Sequence, residues 1–308
     1  MTSQVPAHRS GFASLVGRPN AGKSTLTNAL VGEKIAITSS RPQTTRHTIR
    51  GIVHRLDAQL VLVDTPGLHK PRTLLGERLN DLVRATWAEV DLVVLCLPAD
   101  EKVGPGDRFI ARALAGIGTP VFAVVTKTDR VGRDGVARAL VQAVELGAEC
   151  GLSWAEVVPV CAISGDQVPL LADLLVARLP EGPVLYPDGE LTDSPEEVMV
   201  AELIREAALE GVTDELPHSI AVVVEQLGSR QGRSADRPLV DIEAIVYVER
   251  PSQKGIVIGA GGARLREVGT RARVQIERLL GTPVYLDLRV KVAKDWQRDP
   301  KQLRRLGF

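Results

Sequence analysis

One stretch limits this chain more than any other: GRPNAGKST, residues 17–25, set between the apolar run Phe12–Val16 and a helix-forming segment from Thr25 to Val31. The spacing from Gly17 to Gly22, Lys23 and Ser24 is that of a loop that cradles phosphates. Such a loop turns successive backbone N–H groups into one concavity, and the following helix adds positive potential at its N-terminus. Lys23 then reaches the outer phosphate oxygens, and Ser24 offers a hydroxyl to Mg²⁺. The motif works only between a strand and a helix, which commits the chain to a layered α/β sheet.

The remainder of residues 1–180 agrees with that commitment. Leu60–Val63, Leu92–Leu97, Val121–Val125 and Val157–Val160 are continuous apolar runs separated by helical patterns. Runs of this kind are strands buried on both faces, as parallel strands are. Thr48–Val53 and Leu60–Val63 are joined through Arg55-Leu56-Asp57 and read as a hairpin. The expected fold is therefore a doubly wound, mostly parallel sheet with one antiparallel strand. Pro180-Glu-Gly-Pro183 and Tyr186-Pro-Asp-Gly189 then break the pattern and predict a linker over 181–194. A helix starting with Ser194 as N-cap and Pro195 at its first position opens a second domain, 195–308. Strands Ser219–Gln226 and Val240–Glu249, a helix around a glycine cluster, and strand Val284–Val292 complete a smaller α+β domain.

The residues downstream of the first loop narrow its ligand. Asp64-Thr65-Pro66-Gly67 ends a strand, where a carboxylate can hold Mg²⁺ through water and the Gly67 N–H can sense a γ-phosphate. Asp129, in Thr126-Lys127-Thr128-Asp129, can accept hydrogen bonds from guanine N1–H and the 2-amino group. Adenine offers neither donor and would leave a desolvated carboxylate unpaired. Cys161-Ala162-Ile163 follows another strand and offers the Ala162 N–H to guanine O6. The nucleotide-binding set is thus Asn20, Ala21, Gly22, Lys23, Ser24, Thr25, Asp64, Gly67, Thr126, Lys127, Asp129, Cys161, Ala162 and Ile163. Leu68 stands where Ras-type enzymes carry a water-positioning Gln, which predicts slow intrinsic hydrolysis. Arg41, Arg46 and His69 fall in segments that can approach the γ-phosphate, but loop charges are ordinarily solvated.

A second glycine cluster, Gly259-Ala260-Gly261-Gly262, calls for a different ligand. It lacks the third glycine of a dinucleotide fingerprint, because position 264 is Arg264, and it has no Gly-Lys-Ser/Thr. What remains is Gly-x-x-Gly before an Arg-rich helix, the loop with which KH modules clamp about four single-stranded nucleotides. Bulk charge supports that reading. The chain has no net charge, yet Arg250–Phe308 holds 14 Lys and Arg against 5 Asp and Glu. A neutral protein with a basic end points to a polyanion for that end alone. Lys254, Arg264, Arg266, Arg271 and Arg273 are candidate phosphate contacts, and Arg264 and Arg271 share a helical face at i, i+7. With Ile258 and the four loop residues, Lys254, Arg264 and Arg271 form the expected RNA-binding set.

These residues resemble the Era family of bacterial GTPases over nearly the whole chain. The likeness extends through Arg41-Pro-Gln-Thr-Thr45-Arg46-His, Asp64-Thr-Pro-Gly-Leu-His69-Lys-Pro71 and the linker Pro180-Glu-Gly-Pro183. It implies a P-loop GTPase domain followed by a type II KH domain. It further implies that Thr45 completes Mg²⁺ coordination with Ser24 and Asp64, and that Lys23, Thr45 and Gly67 serve hydrolysis. Asn20 lies where similar GTPases help bind K⁺, so K⁺ joins Mg²⁺ as an expected cofactor. The implied partners are GTP and GDP, 16S rRNA near its 3′ end, the 30S subunit, and peripherally the inner face of the cell membrane. Two positions depart from the family pattern: Thr126 replaces an Asn and Cys161 replaces a Ser. The loss of an amide at Thr126 suggests weaker nucleotide binding.

Cys96, Cys150 and Cys161 are few, odd in number and not spaced for metal, as suits a reducing compartment. No leader opens the chain, and no apolar run approaches the roughly 18–20 residues of a membrane span. A cytoplasmic monomer is expected. The competing reading is a membrane-associated GTPase whose basic domain meets anionic lipid.

Overall fold

The computed structural model describes residues 7–38, 45–68, 71, 73–210, 219–232 and 238–308. The chain divides into two compact units. The first comprises Met1–Ala36, Thr45–Pro71 and Arg78–Asp193, and the second comprises Ile37–Thr44, Arg72–Glu77 and Ser194–Phe308.

In the first unit, strands β1 (Arg9–Val16), β2 (Ile49–His54), β3 (Ala58–Asp64), β4 (Leu92–Pro98), β5 (Val121–Thr126) and β6 (Trp154–Pro159) form one sheet. Its order is β2-β3-β1-β4-β5-β6, parallel throughout except for the antiparallel β2–β3 pair. Every residue of β3, β4 and β5 is buried, which is why these strands read as unbroken apolar runs. One face packs on α1 (Lys23–Val31) and α5 (Val168–Val176) through Leu15, Leu26, Leu62, Phe122, Leu171 and Leu175. The other packs on α2 (Leu74–Glu89), α3 (Pro105–Leu114) and α4 (Arg133–Cys150) through Val63, Val83, Trp87, Leu95, Ile110 and Leu146. Each such side chain contributes about 1.5–3 kcal/mol by leaving water. The order reverses at β1, and the loop after β1 opens at that switch point, where ligands of open α/β sheets bind.

The Pro- and Gly-rich segment after residue 180 is a strap laid along the β2–β3 hairpin. The Ile52 N–H donates to Leu191 O at 2.9 Å. Gln59 Oε1 accepts from the N–H groups of Leu185 (2.7 Å) and Tyr186 (3.0 Å), while its Nε2 donates to Tyr186 O. Residues 181–193 thus pack as part of the first unit.

The second unit opens with α6 (Glu196–Leu209). This helix starts one residue later than the sequence suggests: the Pro195 carbonyl accepts from the N–H groups of Val198 and Met199. Pro195 is therefore the N-cap, in extended backbone with ψ 140°, and Ser194 lies outside. Strands β7 (Ala221–Ser229), β8 (Val240–Val248) and β9 (Val284–Val292) form a sheet in that order, antiparallel then parallel. The glycine cluster does not sit inside one helix. It joins α7 (Pro251–Ile258) to α8 (Ala263–Leu280). Helices α6, α7 and α8 cover one face of the sheet through Ile204, Ala208, Val246, Val257, Val268 and Ile276. Ile37 is buried in this same core, and the Thr38 N–H donates to Glu206 Oε1 on α6 at 2.8 Å.

Candidate functional site

Three oxygens expected to serve a metal converge in the first unit. Ser24 Oγ lies 2.7 Å from Asp64 Oδ2 and 2.9 Å from Thr45 Oγ1, and Thr45 Oγ1 lies 3.3 Å from Asp64 Oδ2. They come from the start of α1, the segment before β2 and the end of β3. A cluster of two hydroxyls and one carboxylate is a hard-oxygen donor set of the kind Mg²⁺ takes, with room left for phosphate oxygens and water. Lys23 Nζ donates to Arg18 O at 3.1 Å and Gly17 O at 3.3 Å, so the loop holds its own lysine inward. Burial pulls the Lys23 pKa below the usual lysine value, and Asp64 opposes that shift. Nearby Cys96 has its thiol pushed up to about 12 by burial, which makes it inert.

Gly67 explains itself by geometry. A Cβ there would come within 2.9 Å of Pro19 N and 3.1 Å of Pro19 Cα. Only a glycine lets the turn after β3 approach the first loop so closely. Leu68 is buried in the core beside Val63 and Leu95, so it takes no part in holding a water. Arg46 is also buried, whereas Arg41 and His69 lie outside the described residues.

At the base-recognition end, the two departures from the family pattern have distinct outcomes. Thr126 Oγ1 donates to Ala21 O at 2.7 Å, tying the end of β5 to the phosphate loop without an amide. Cys161 Sγ donates to Asp129 Oδ1 at 3.3 Å and accepts from the Ser164 N–H at 3.4 Å. A thiol thereby orients the carboxylate expected to read guanine. Lys127 adopts a left-handed φ of 56° and pairs with Asp100 and Glu101 at 3.6 and 3.7 Å. Ile163 is three-quarters exposed and presents an apolar surface suited to a planar base.

In the second unit the glycine loop stands open. Gly259, Gly261 and Gly262 have φ of 72°, 55° and 78°, values that side chains with a Cβ disfavour. Around Gly261 and Gly262 nothing lies within 4 Å of where a Cβ would be. Beside the loop a groove of about 380 Å³ runs between α8 and β9. It is lined by Gly262, Leu265, Arg266, Gly269, Thr270, Arg273, Val284, Tyr285, Leu286 and Leu288.

This changes which helical face carries the charge. Arg264 donates to Glu210 O at 2.8 Å, and Arg271 is paired with Glu210 and with Glu267 (2.6 Å). Both arginines of the face favoured by sequence are thus engaged with α6 and its following residue. Arg266 and Arg273, also seven residues apart, line the groove in their place. Helical periodicity could pair 266 with 273 as readily as 264 with 271. Only the packing of α6 chooses between them. Lys254 is half-buried on α7, and Ile258 packs on the core. Of the other lining residues, Tyr285 lies on β9, where strand alternation bears on it, whereas Leu265 and Thr270 lie on α8 and carry no distinguishing sequence signal.

A phosphate loop with clustered metal-ligand oxygens, followed by a KH-type helix–loop–helix on a three-stranded sheet, defines a GTPase joined to a nucleic-acid-binding module. Residues 12–127 match the family described as 50S ribosome-binding GTPase, and residues 215–297 match the KH domain family. The chain is 72% identical to the GTPase Era of Streptomyces coelicolor over 100% of its own length and 98% of that protein's. It is 71% identical to the GTPase Era of Nocardioides sp. over 98% and 97%. A solved structure of Era with MgGDPNP and nucleotides 1506–1542 of 16S ribosomal RNA superposes with a TM-score of 0.91 at 34% identity, covering 97% of this chain and 99% of the other. A single-residue variant of Aquifex aeolicus Era bound to GDP·AlF4⁻ gives the same identity, score and coverage. This chain belongs to the Era family and is a GTPase with a KH RNA-binding domain.

Proposed function

We propose that this protein is a GTP-driven RNA-binding switch that engages 16S rRNA near its 3′ end during 30S subunit assembly. The observation that carries the proposal is the pairing of the two sites in one chain: a closed phosphate loop with a Ser24–Thr45–Asp64 oxygen cluster, and an open glycine loop beside a basic groove. The relative solved with MgGDPNP and a 16S rRNA segment supports both ligands.

In the first site the backbone of residues 20–25 cradles the phosphates, and Lys23 swings from the Gly17 and Arg18 carbonyls to the β/γ oxygens. Ser24, Thr45 and Asp64 hold Mg²⁺, which when bound neutralises charge on those oxygens. The Gly67 N–H faces the γ-phosphate. Asp129, held by Cys161, reads guanine N1–H and the 2-amino group, and Ala162 N–H meets O6. With Leu68 turned into the core, turnover is slow until a partner or a cation completes the site. Asn20 would help hold a K⁺ that supplies positive charge beside the β/γ-phosphates, and equal turnover in K⁺ and Na⁺ buffers would sink that assignment. In the second site Gly259–Gly262 lies against the RNA backbone, while Arg266 and Arg273 meet phosphates along the groove.

Within the second unit, Ile37 and Thr38 are fastened to α6 through its core and through Glu206. RNA binding measured with GTP, with GDP and without nucleotide tests the switch, and identical affinities in all three would refute it.

The lipid-binding alternative has less behind it. No helix among the described residues is long and apolar enough to cross a membrane, and the groove and open glycine loop are features that lipid does not require.

A further inference from the structure

We propose that Glu101, acting through Arg18 and Lys127, is a positioning residue that braces the phosphate loop against the base-reading loop and so sets how long a guanine nucleotide stays bound. The proposal rests on the nucleotide-site reading above and deepens it. Guanosine diphosphate touches both loops at once, so each contact counts fully only when the other end is already in register. Whatever fixes the separation of the two loops therefore governs release of the product.

The brace comes from one segment, residues 99–107, between β4 and α3. The two oxygens of Glu101 serve different loops. Oε2 lies 3.1 Å from Arg18 Nη1 in the phosphate loop, and Oε1 lies 3.7 Å from Lys127 Nζ in the base-reading loop. Asp100 secures the far side: its Oδ1 lies 3.6 Å from Lys127 Nζ, and its Oδ2 accepts from Arg130 Nη1 at 2.9 Å. Lys127 and Arg130 flank Asp129, the carboxylate assigned to guanine. Lys127 also keeps a left-handed φ of 56°, and its ion pairs oppose relaxation to a commoner backbone.

At the other end Arg18 is held as a fork. Its Nε donates to Asp107 Oδ1 at 2.7 Å while Nη1 faces Glu101, so the plane of the guanidinium is fixed in a way no lysine ammonium could match. Asp107 is fully buried, and its second oxygen accepts from the Gly104 N–H at 2.8 Å, at the start of α3. A Cβ on Gly106 would come within 2.8 Å of Arg18 Cδ, so the first turn of α3 packs directly on the arginine stem. Backbone contacts carry this into the loop. Arg18 O accepts from the Ala21 N–H at 3.2 Å and from Lys23 Nζ at 3.1 Å. Fixing Arg18 thus fixes the carbonyl around which the loop turns and on which Lys23 rests.

The sign of the charge makes the arrangement informative. Asp100, Glu101 and Asp107 stand beside a loop that receives phosphates, where negative charge by itself repels the ligand. Through-space repulsion alone predicts tighter nucleotide binding when Glu101 is neutralised. A brace predicts looser binding.

The test follows release of a fluorescent GDP analogue from the full chain by stopped flow. Glu101→Gln removes the charge and keeps the shape, whereas Glu101→Asp keeps the charge and withdraws it by one methylene. Both should release GDP about threefold faster, the size of effect expected of a partly exposed charge pair. Both should act on KM for GTP rather than on kcat, with the Tm of the nucleotide-free protein unchanged. Arg18→Gln should speed release about tenfold, because it strands the buried Asp107 carboxylate. Combined with Glu101→Gln it should fall short of the product of the two single effects. Slower release from Glu101→Gln would overturn the proposal in favour of simple repulsion. An unchanged rate, or a fully multiplicative double variant, would overturn it as well. Glu101 is exposed, so its two variants decide the matter even where Arg18→Gln fails to fold. Asp129→Ala is the control for the site itself and should quicken release far more than either Glu101 variant. Fast release from Asp129→Ala with wild-type release from both Glu101 variants would remove the brace alone. Unchanged release from Asp129→Ala would remove the base-reading assignment and the brace with it.

Discussion

The two glycine loops of this protein are opposites in construction. The first is tied down from within: Lys23 binds the Gly17 and Arg18 carbonyls, Thr126 holds Ala21, and Arg18 pairs with Asp107 at 2.7 Å. The second is bare, with open space over Gly261 and Gly262. Chemistry on a phosphate demands fixed donors, so that no reorganisation is needed as charge develops. Gripping a polymer backbone demands access, because the ligand arrives from one side and continues past the site. Glycine serves both ends, once to allow tight internal packing and once to leave an accessible backbone.

The sharpest way to break this contrast is Asp129→Asn. The amide would donate to a 2-oxo group, and the preference for GTP over xanthosine triphosphate should invert, a change on the order of 10³ or more in the ratio of kcat/KM. Persistent GTP preference in competition assays would disprove the base-reading role. Next in size, Lys23→Ala should lower single-turnover phosphate release by about 10²–10³-fold, while RNA binding without nucleotide stays intact. A parallel loss of nucleotide-free RNA binding would mean that the loops are not separable. Gly261→Asp with Gly262→Asp reverses the test, with at least about tenfold weaker RNA binding from strain and repulsion and unaltered basal GTP hydrolysis. The smallest effect belongs to Cys161. Cys161→Ala should raise the KM for GTP by roughly threefold, as befits one modest hydrogen bond, and Cys161→Ser should restore it. A rise in KM that Ser fails to rescue would show that volume rather than orientation matters there.

The first domain was legible because its strands are buried on both faces and its motifs are local. Buried parallel strands advertise themselves as apolar runs, and the phosphate loop compresses its chemistry into residues 17–25. Even Thr126 illustrates a limit, however. Sequence registers the loss of an amide there, whereas the structure shows the hydroxyl reaching Ala21 O. The RNA face was less legible. Arg264 and Arg271 share a face as surely as Arg266 and Arg273 do, and nothing in the spacing distinguishes the two. Residue Glu210, at the end of α6, engages the first pair, and it is 54 and 61 residues away. The 181–193 strap likewise reads as a linker from its prolines, because its hydrogen bonds go to Gln59 and Ile52, far away in sequence.

Sequence alone thus determined the elements whose cause is local: the phosphate loop, the buried strands of the first domain, and the basic bias of the C-terminal fifth. Tertiary structure decided which groups meet. It brought Ser24, Thr45 and Asp64 within hydrogen-bonding reach, set Cys161 against Asp129, turned Leu68 into the core, and gave the groove to Arg266 and Arg273. The reason is physical. Local propensity acts over a few residues of chain, whereas charge pairing and burial act over a few ångströms of space, and the fold alone converts one into the other.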